Sequence, residues 1–547
     1  MDRRQLRWQG WGRIDHRRDL SNAEQDYLAE VLGFEAGLPQ TPVPELSQLE
    51  LPSSRIGKRR LGALADIVGD EAVRTDRFER VFHARGQSYH DLLHYRSGRL
   101  ESAPDAVIYP DSADAVSGLL GWAAEHDMAV VPFGGGTSVV GGVTASAGAG
   151  KAGVITLDLS RLDQTRGIDV GNGRASFAAG IYGPALENAL AGQGATLGHF
   201  PQSFEFSTLG GWIAARGAGQ ESNGYGTARH WFVGARVATP SASWTTEHEP
   251  ASAAGPRLAD LLVGSEGTLG VITSATVRIR PRPETRSLRA YLFPDFESGL
   301  ACARRLAQTD RRLAMLRLSD ADETRFQSRF AALHRSPSIA QRAFKWYLGR
   351  RGFGAEACLM LVASHGGVRT VDRAVRNVRW VAGQHGGQAL GAGPGKTWYE
   401  TRFEAPYLRD PLLDRGVGVD TLETAATWEN LPELYAAVRD AIRGAVGTRG
   451  ILMTHVSHTY RDGASLYFTY VFPRDPTDPI DQWWSIKRAA SDAIMANRGT
   501  ISHHHGVGED HLEWMNREKD PSSLRILRSV KDTLDPTGLL NPGKLIP

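Results

Sequence analysis

The chain has 547 residues, a formal net charge of only +2, 41% hydrophobic residues and two cysteines. This length allows more than one domain and a large buried core, and the near-neutral charge argues against a general nucleic-acid binder. We find no apolar run of membrane-spanning length and no apolar signal at the start. Cys302 and Cys358 cannot form a disulfide framework, so we expect a cytoplasmic protein with reduced thiols.

Residues 1–94 are predicted to be an extended and helical lead-in. The first residues combine several arginines with Trp8 and Trp11. Such a surface can contact anionic lipid, or it can be an arm whose tryptophans pack on the body of the protein. We favour packing and keep peripheral membrane contact as the alternative.

A strand, a helix and a second strand are predicted at 106–109, 113–125 and 129–131, and a glycine-rich run follows them. This run is Pro132-Phe133-Gly134-Gly135-Gly136-Thr137-Ser138. Glycines let the backbone approach a ligand closely and aim N–H groups at phosphate oxygens. The run matches neither the dinucleotide nor the nucleoside-triphosphate fingerprint, so it indicates a different phosphate-binding loop.

Two further segments belong to the same region, one at 200–216 and one at 264–273. Short strands and glycine turns continue to Pro283, which is typical of two small lobes that grip a cofactor. Beyond Pro283, strands at 288–293, 357–364 and 465–472 alternate with helices at 296–307 and 371–385. This alternation predicts a second domain.

Three consecutive histidines, His503, His504 and His505, lie between Ser502 and Gly506. Imidazole is the side chain best suited to moving protons near neutral pH. Such a run can also be a loop or a metal-binding tract. If the run is a strand, alternation places His504 on one face and the other two histidines on the opposite face.

These motifs, with Leu534-Asp535-Pro536-Thr537-Gly538 near the end, resemble the FAD-binding fold of the vanillyl-alcohol oxidase family. Within it the chain is most similar to the alkylglycerone-phosphate (alkyl-dihydroxyacetone-phosphate) synthases, from about Trp8 to Leu545. The resemblance implies an α+β fold with a two-lobed FAD-binding domain and an antiparallel-sheet cap. We expect the lead-in at 1–94, the FAD-binding domain at 95–284, the cap at 285–497 and a returning C-terminal segment at 498–547.

The resemblance also implies FAD and the residues that line it. They are Pro132, Phe133, Gly134, Gly135, Gly136, Thr137, Ser138, Gln202, Ser203, Phe204, Glu205, Phe206, Ser207, Thr208, Ala215, Arg216, Gly217, Ala218, Glu266, Gly267, Thr268, Leu269, Gly270, Val271 and Ile272. Family members with covalent flavin often attach it through a histidine near the glycine loop. This loop holds none, so we expect non-covalent FAD. Gln202 departs from the aspartate that is usual in the synthases.

The synthases exchange the acyl group of acyl-dihydroxyacetone phosphate for a fatty alcohol, with a flavin N5 adduct thought to hold the substrate carbon. By resemblance Tyr467, His503, His504 and His505 are catalytic. Arg409 is assigned to substrate phosphate or acid–base support. Arg317 and His199 match further functional positions. We expect His504 and Tyr467 to be the acid–base couple, a lipid-like substrate and a homodimer.

Other functions stay open on the sequence. One is an FAD-dependent oxidase or dehydrogenase of a 2-hydroxy acid, or of a lipid or aromatic alcohol, and another is a flavin protein without turnover. Hydroxy-acid enzymes of this kind often use a metal. Here Tyr467 and His504 replace two of their metal ligands, so we expect no metal. His455, His458 and His504 nevertheless could supply three nitrogens.

Overall fold

The structure of the protein is a computed structural model that describes residues 1–246, 248–309, 313–334 and 338–547, without the side chains of residues 340, 341 and 345. The N-terminal segment contributes α1 (Asn22–Leu32), α2 (Lys58–Val68), β1 (Val73–Arg74), α3 (Arg77–Phe82) and α4 (Tyr89–Arg96). Strand β1 joins the first sheet, although its residues lie inside the segment predicted as a lead-in.

The first sheet has the order β1-β2-β4-β3, and its last three strands are parallel. Its further elements are β2 (Ala106–Ile108), α5 (Ala113–Glu125), β3 (Met128–Phe133) and β4 (Gly153–Asp158). Helix α5 has the predicted bounds because Ser112 caps it by accepting a hydrogen bond from the Ala115 N–H. Its apolar residues recur at helical spacing and are buried, so the helix packs on the sheet.

The second sheet is antiparallel, with the order β5-β6-β10-β8-β9. This lobe contains β5 (Thr165–Asp169), β6 (Arg174–Ala178), α6 (Gly183–Ala191), β7 (Ala195–Thr196), α7 (Leu209–Ala214), α8 (Ser222–Tyr225), α9 (Ala228–Trp231), β8 (Phe232–Ala238), β9 (Ser243–Thr245), β10 (Val271–Arg278) and β11 (Arg280–Pro281). The two lobes together present their loops to one cavity.

The third sheet has seven antiparallel strands in the order β15-β12-β14-β13-β17-β18-β16. Its elements are β12 (Thr285–Phe293), α10 (Phe296–Thr309), β13 (Leu313–Ser319), α11 (Ala321–Ala332), α12 (Ile339–Arg350), β14 (Cys358–Gly366), α13 (Val368–Gln384), β15 (Gln388–Gly391), α14 (Gly393–Thr401), α15 (Arg409–Leu413), β16 (Val417–Thr427), α16 (Leu431–Val446), β17 (Ile451–Thr459), β18 (Gly463–Pro473) and α17 (Pro479–Ala496). This is the antiparallel-sheet cap that the sequence predicted.

One face of the cap sheet is buried against helices α10, α13, α16 and α17. Helix α13 shows why: Val371, Ala374, Val378 and Val381 recur at helical spacing and are all buried. Each fully buried valine contributes roughly 1.5–3 kcal/mol from apolar burial. The opposite face of β13, β16, β17 and β18 is therefore left to line a cavity.

The C-terminal segment returns to the first two lobes through α18 (Met515–Glu518) and α19 (Pro521–Leu534). Beyond α19, Leu540 pairs with Val130 on β3, and the Asn541 side-chain amide donates to the carbonyls of Gly142 and Glu266. The segment thus ties the glycine-rich loop to the loop around Glu266. Across the described ranges, no helix has both the length and the apolar character needed to cross a membrane.

The N-terminal arm packs on the protein. Trp11 is only 6% exposed, and Trp8 contacts Tyr95 edge to face. Arg3 forms an ion pair with Asp158 at 2.9 Å and donates to the Gly134 carbonyl. These side chains face the interior, so this part of the arm is not a free basic surface.

Candidate active site

A single cavity of about 620 Å³ lies between the two N-terminal lobes and the cap sheet. This volume is within the range of small-molecule and cofactor sites. The cavity is lined by the glycine-rich loop, by the segments around Ser207 and Glu266, by β16, β17 and β18, and by the loop of the histidine triplet. The motifs that the sequence singled out therefore meet at one place.

The glycine-rich loop fits the pyrophosphate of FAD. In the described part of the chain, the N–H groups of Gly135, Gly136 and Thr137 have no protein acceptor, and all three residues line the cavity. A Cβ on Gly135 would lie 1.8 Å from the Phe206 carbonyl oxygen, so only glycine fits there. Unpartnered N–H groups beside an open cavity are what a phosphate needs.

Most of the predicted cofactor residues line the cavity. Those that do are Pro132, Phe133, Gly134, Gly135, Gly136, Thr137, Ser138, Gln202, Ser203, Ser207, Thr208, Ala215, Gly217, Ala218, Glu266, Gly267, Gly270 and Ile272. Those that do not are Phe204, Glu205, Phe206, Arg216, Thr268, Leu269 and Val271. Phe204 and Phe206 instead pack on Trp212 and Trp11, respectively, because they are apolar. Gln202 donates one of its two amide N–H groups to the Arg402 carbonyl at 2.6 Å, and its Oε1 accepts from Gln220 at 3.1 Å.

Glu266 has a structural role that the sequence did not predict. Its carboxylate accepts hydrogen bonds from the N–H groups of Val507 and Gly508, both at 2.6 Å. Burial raises the pKa of Glu266 to about 7, although these N–H donors oppose the shift. Glu266 therefore anchors the far end of the histidine loop to the cofactor-binding lobe.

The histidine triplet is a bent loop and not a strand, so the predicted alternation is wrong. The N–H groups of His503, His504 and His505 all donate to the carboxylate of Glu423, at 2.6, 3.0 and 2.9 Å. The Ser502 hydroxyl donates to it as well, at 2.8 Å. Three successive N–H groups can converge on one carboxylate only if the backbone bends, because an extended strand turns alternate N–H groups to opposite sides.

The bend changes which rings reach the cavity. His504 and His505 both line it, whereas His503 does not. His503 instead places its Nε2 2.5 Å from the Tyr460 hydroxyl oxygen. Burial lowers the pKa of each of the three rings to about 4, so all three are neutral at pH 7. A neutral ring that faces the cavity can accept a proton.

Tyr467 lies on β18, between His455 and Glu423 on the neighbouring strands. Its ring centroid is 6.2 Å from that of His504 and 5.5 Å from that of His505. Burial raises the pKa of Tyr467 to about 12, so its hydroxyl keeps its proton at neutral pH. The predicted couple of Tyr467 and His504 therefore comes together in space, and His505 lies closer still to Tyr467.

The nitrogen cluster differs from the one expected. His458, His503 and His504 hold ring nitrogens within 4.8 Å of one another, whereas His455 lies with Arg317 and Glu323. The nitrogens of His458 lie 2.8 Å from the Ser457 hydroxyl oxygen and 3.1 Å from the Gly219 carbonyl oxygen, and the Nδ1 atoms of His503 and His504 are 2.9 Å apart. Protein groups lie beside both ring nitrogens of His458 and His503 and beside the His504 Nδ1, and the expected absence of a metal here stays a prediction.

Arg317 lies in a charge-balanced group. Its Nη2 donates to the Glu323 carboxylate at 2.6 Å, and its Nη1 lies 2.9 Å from the His455 Nε2. The His455 Nδ1 is 3.2 Å from the second Glu323 oxygen. Despite burial, Arg317 and His455 hold the pKa of Glu323 well below its ordinary value. Because Glu323 neutralises it, Arg317 offers little free positive charge to a substrate.

Arg409 differs from Arg317 because, in the part of the chain that the structure describes, no carboxylate is hydrogen-bonded to it. Its guanidinium donates to the backbone carbonyl and side-chain oxygen of Gln87. Asp410 is 3.9 Å from the Arg409 Nε and instead bonds Arg7 and the Trp11 N–H, both at 2.7 Å. Arg409 lines the cavity, so its charge is available to an anion there.

His199 lies behind the cavity wall. It is 1% exposed and contacts Trp212 and Trp231. Its Nδ1 accepts a hydrogen bond from the Trp231 indole at 3.3 Å, and its Nε2 is buried without a partner. Burial lowers its pKa to about 3. Its catalytic role stays a prediction.

An apolar branch extends the cavity away from the cofactor loops. Leu28 on α1, Phe326 and Phe330 on α11, Leu412 on α15 and Met453 on β17 line it. They belong to one apolar cluster. A hydrocarbon chain fits such walls because burying it removes apolar surface from water.

Sequence reasoning missed the carboxylates Glu423 and Glu323 and the side chain of Gln87. Glu423 left a detectable signal, since it is an acidic residue in the apolar strand β16, between Leu422 and Thr424, which are buried. A buried carboxylate needs partners. Those partners lie 80 or more residues away along the chain, so the sequence could not identify them.

Comparisons with known proteins agree with the fold and the site described above. The model of the FAD binding domain matches residues 104–246, and that of the FAD linked oxidases, C-terminal domain, matches residues 282–545. The alkyldihydroxyacetonephosphate synthase of Dictyostelium discoideum is 30% identical over 99% of this chain and 94% of its own length. The synthase of Trypanosoma brucei brucei is 31% identical over 99% and 92%.

A solved alkyldihydroxyacetonephosphate synthase structure superposes with a TM-score of 0.84 at 28% identity, covering all of both chains. The fold is therefore the FAD-binding fold of the vanillyl-alcohol oxidase type, and the cofactor is FAD. The chain belongs to the alkyldihydroxyacetonephosphate synthase family of FAD-dependent enzymes.

Proposed function

We propose that this protein is an alkyldihydroxyacetonephosphate synthase, which exchanges the acyl group of acyl-dihydroxyacetone phosphate for a fatty alcohol. One observation carries the proposal: a single cavity joins the FAD loops, neutral histidines, a free arginine and an apolar branch. Each part serves one requirement of the reaction. The loops hold the flavin, the histidines transfer protons, the arginine binds the phosphate, and the apolar branch holds the hydrocarbon chains.

The phosphate is assigned to Arg409. Guanidinium groups bind phosphate through charge-assisted hydrogen bonds, and Arg409 has no carboxylate within hydrogen-bond distance among the residues described. Arg317 is a weaker candidate because Glu323 balances its charge. The chains of the acyl and alkyl groups are assigned to the branch that Leu28 and Phe330 line.

Proton transfer is assigned to the histidine loop and Tyr467. A neutral His504 or His505 accepts a proton from the carbon beside the substrate ketone. Tyr467 keeps its own proton, because its pKa is raised to about 12 by burial, so its hydroxyl can donate a hydrogen bond to the leaving carboxylate. FAD, when bound, supplies the isoalloxazine ring against which the substrate carbon reacts.

We propose that FAD is bound without a covalent bond. No histidine lies in the loop 132–142, and Cys302 and Cys358 are buried in the core of the cap. A trichloroacetic acid precipitate would test this. We expect the yellow colour to stay in the supernatant, and colour in the pellet would contradict the assignment.

We propose that the protein contacts membranes peripherally through helix α12. Ile339 is 86% exposed, Trp346 63% and Phe344 43%, and Arg342 and Arg350 lie on the same helix. Apolar and basic side chains on one exposed helix suit an anionic membrane surface. A cytoplasmic location and a homodimeric state are further proposals, which cell fractionation and light scattering would test.

The deciding experiment is anaerobic. The purified flavoprotein is mixed with palmitoyl-dihydroxyacetone phosphate and hexadecanol, and separately with D-lactate or hexadecanol alone, while the flavin spectrum and free palmitate are recorded. We expect release of palmitate and formation of the ether product without any electron acceptor. Flavin bleaching by D-lactate or the alcohol alone, reversed by oxygen, would instead show an oxidoreductase.

A further inference from the structure

We propose that Glu423 is a positioning residue, which holds His504 as the tautomer with a proton on Nδ1 and so leaves Nε2 as the proton acceptor. This inference rests on the proposed proton transfer by the histidine loop. Glu423 is 3% exposed, on β16, and among the residues described its carboxylate accepts hydrogen bonds from Ser502 and the three histidines. Its role is therefore exerted through the histidines.

The first argument is geometric. The Glu423 carboxylate accepts three consecutive backbone N–H groups of the triplet and the Ser502 hydroxyl, at 2.6–3.0 Å. Four donors on one carboxylate fix the backbone of the loop in a single conformation. The bend that brings both His504 and His505 to the cavity depends on this convergence. A neutral amide could not accept the same four bonds, because one of its two oxygens is replaced by an N–H donor.

The second argument is electrostatic. The Nδ1 atoms of His504, His505 and His503 lie 3.6, 3.8 and 4.0 Å from the Glu423 oxygens. In the described chain no other carboxylate lies within 4.0 Å of these ring nitrogens. Despite burial, the histidines and the N–H donors hold the pKa of Glu423 well below its ordinary value. The fixed negative charge is closest to the His504 Nδ1 and favours the proton on that nitrogen.

The other charged and titratable groups around the loop do not supply this charge. His455 and His458 face it from β17, Tyr460 from just beyond the end of that strand, Tyr467 from β18, and Arg216 from the cofactor-binding lobe. Lys487 on α17 lies 2.5 Å from the His511 Nε2, and His511 Nδ1 lies 2.9 Å from the Gly506 carbonyl oxygen. These groups are neutral or cationic. Two other carboxylates bond the ends of the loop and not its rings: Glu266 accepts from the Val507 and Gly508 N–H groups, and Glu518 accepts from the Ile501 N–H and the Thr500 hydroxyl.

One hydrogen-bonded chain follows from this tautomer. A proton on the His504 Nδ1 can be donated to the His503 Nδ1, 2.9 Å away. The His503 Nε2 then carries a proton, which it donates to the Tyr460 hydroxyl oxygen at 2.5 Å. The His504 Nε2 has no protein partner among the residues described, and His504 lines the cavity. The free lone pair is thus on the nitrogen that a substrate can reach.

The test compares wild type with Glu423→Gln and Glu423→Asp in the FAD-loaded protein. With ¹⁵N-labelled histidine at pH 7.5, we expect the wild-type His504 to carry its proton on Nδ1, with its signals assigned by their loss in His504→Gln. Glu423→Gln should shift the Nδ1 to Nε2 tautomer ratio at least tenfold, and Glu423→Asp should keep the wild-type tautomer. A wild-type His504 protonated on Nε2, or an unchanged ratio in Glu423→Gln, would overturn the inference.

Kinetics give a second readout. In palmitate release, Glu423→Gln should lower kcat at least 100-fold with KM changed less than threefold, since a positioned base contributes about 10²–10⁴-fold. The kcat of Glu423→Asp should be at least tenfold higher than that of Glu423→Gln. Asp105→Asn is the matched control, because Asp105 is also buried and accepts the Val154 N–H at 2.8 Å, but lies outside the cavity lining.

The two proposals fail separately. If wild type releases no palmitate, the proposed function is wrong, and the tautomer measurement still decides the role of Glu423. If wild type is active but both Glu423 variants match it in kcat, Glu423 is not a positioning residue. Flavin absorbance and thermal unfolding identify any variant that is misfolded. If a variant is misfolded, the tautomer of His504 in the wild-type protein alone decides whether Glu423 has the proposed role.

Discussion

Glu423 and Tyr467 are directly paired residues on the antiparallel strands β16 and β18. Directly opposed residues of an antiparallel pair project to the same face of the sheet. The carboxylate that holds the histidine loop and the tyrosine that faces it are therefore placed by one register. A slip of one residue in this pairing would send Glu423 and Tyr467 to opposite faces of the sheet.

Removing the Tyr467 hydroxyl should abolish turnover without releasing FAD. We expect Tyr467→Phe to lose at least 100-fold in kcat, because the ring still packs on His455 but no phenolic proton remains. His504→Ala should have an effect at least as large. Palmitate release and flavin absorbance, measured on the same samples, check both. Near-normal activity in either variant would exclude that residue from the acid–base couple.

Arg409 and Arg317 should differ in what they recognise. Arg409→Leu removes a cation without a hydrogen-bonded carboxylate, so we expect KM for phosphate-bearing substrates to rise at least tenfold. Binding of a neutral long-chain alcohol should change little. Arg317→Leu removes the arginine partner of the buried Glu323 carboxylate, so it should lower thermal stability as well as activity. Equal KM effects for phosphorylated and neutral ligands in Arg409→Leu would contradict the phosphate assignment.

Gly135→Ala should give a protein that does not retain FAD. The added Cβ would lie 1.8 Å from the Phe206 carbonyl oxygen, so the glycine-rich loop must move. Gly62→Ala is a matched control, since Gly62 is inside helix α2 and a Cβ there meets nothing within 4 Å. We expect the control to keep FAD and to gain roughly 0.5–1 kcal/mol in stability. The ratio of flavin to protein absorbance measures retention.

Stability should fall as the pH drops from 6.5 to 5. Burial lowers the pKa of seven histidines, namely His94, His199, His365, His503, His504, His505 and His511, to about 3 or 4. These rings stay neutral in the folded protein but take up protons in the unfolded chain near pH 6.5. The stability they contribute is complete above that pH and is lost below it.

Four buried carboxyl groups oppose this trend. Burial raises the pKa of Asp91 and Asp320 to about 6 and that of Glu221 and Glu266 to about 7. The folded protein therefore binds protons at these four sites before the unfolded chain does. The pKa of three more histidines (His230, His455 and His458) is also lowered, and that of three more carboxyl groups (Glu187, Glu205 and Asp420) is also raised. Ten histidines therefore oppose seven carboxyl groups, so net destabilisation is expected. Thermal unfolding from pH 7.5 to 5, followed by tryptophan fluorescence, measures it, and a rising Tm would contradict the prediction.

Helix α12 should control binding to lipid vesicles. Trp346→Glu places a charge on an exposed apolar position, so we expect sedimentation with phosphatidylserine vesicles to fall several-fold. Ile14→Glu is a control, because Ile14 is 56% exposed but lies on the N-terminal arm. Equal loss in both variants, or no vesicle binding by wild type, would remove α12 as the membrane contact. Activity on a short-chain substrate reports whether the variants are folded.

The sequence by itself determined the local elements and the motifs. The bounds of α5 follow from the Ser112 cap and the apolar spacing, and the glycines at 134–136 predicted the phosphate loop because glycine alone allows so close an approach of two backbone segments. The resemblance of these motifs predicted the family, FAD and the cap sheet. All of these depend on residues that are close together in the chain.

Only the tertiary structure decided how those motifs act together. The bend of the histidine triplet depends on Glu423, 80 residues earlier, because one carboxylate collects three of its N–H groups. The free charge of Arg409 likewise depends on Arg7 and Trp11, which occupy Asp410 from some 400 residues away. Buried charges must find partners wherever the fold brings them, and no local pattern encodes that choice.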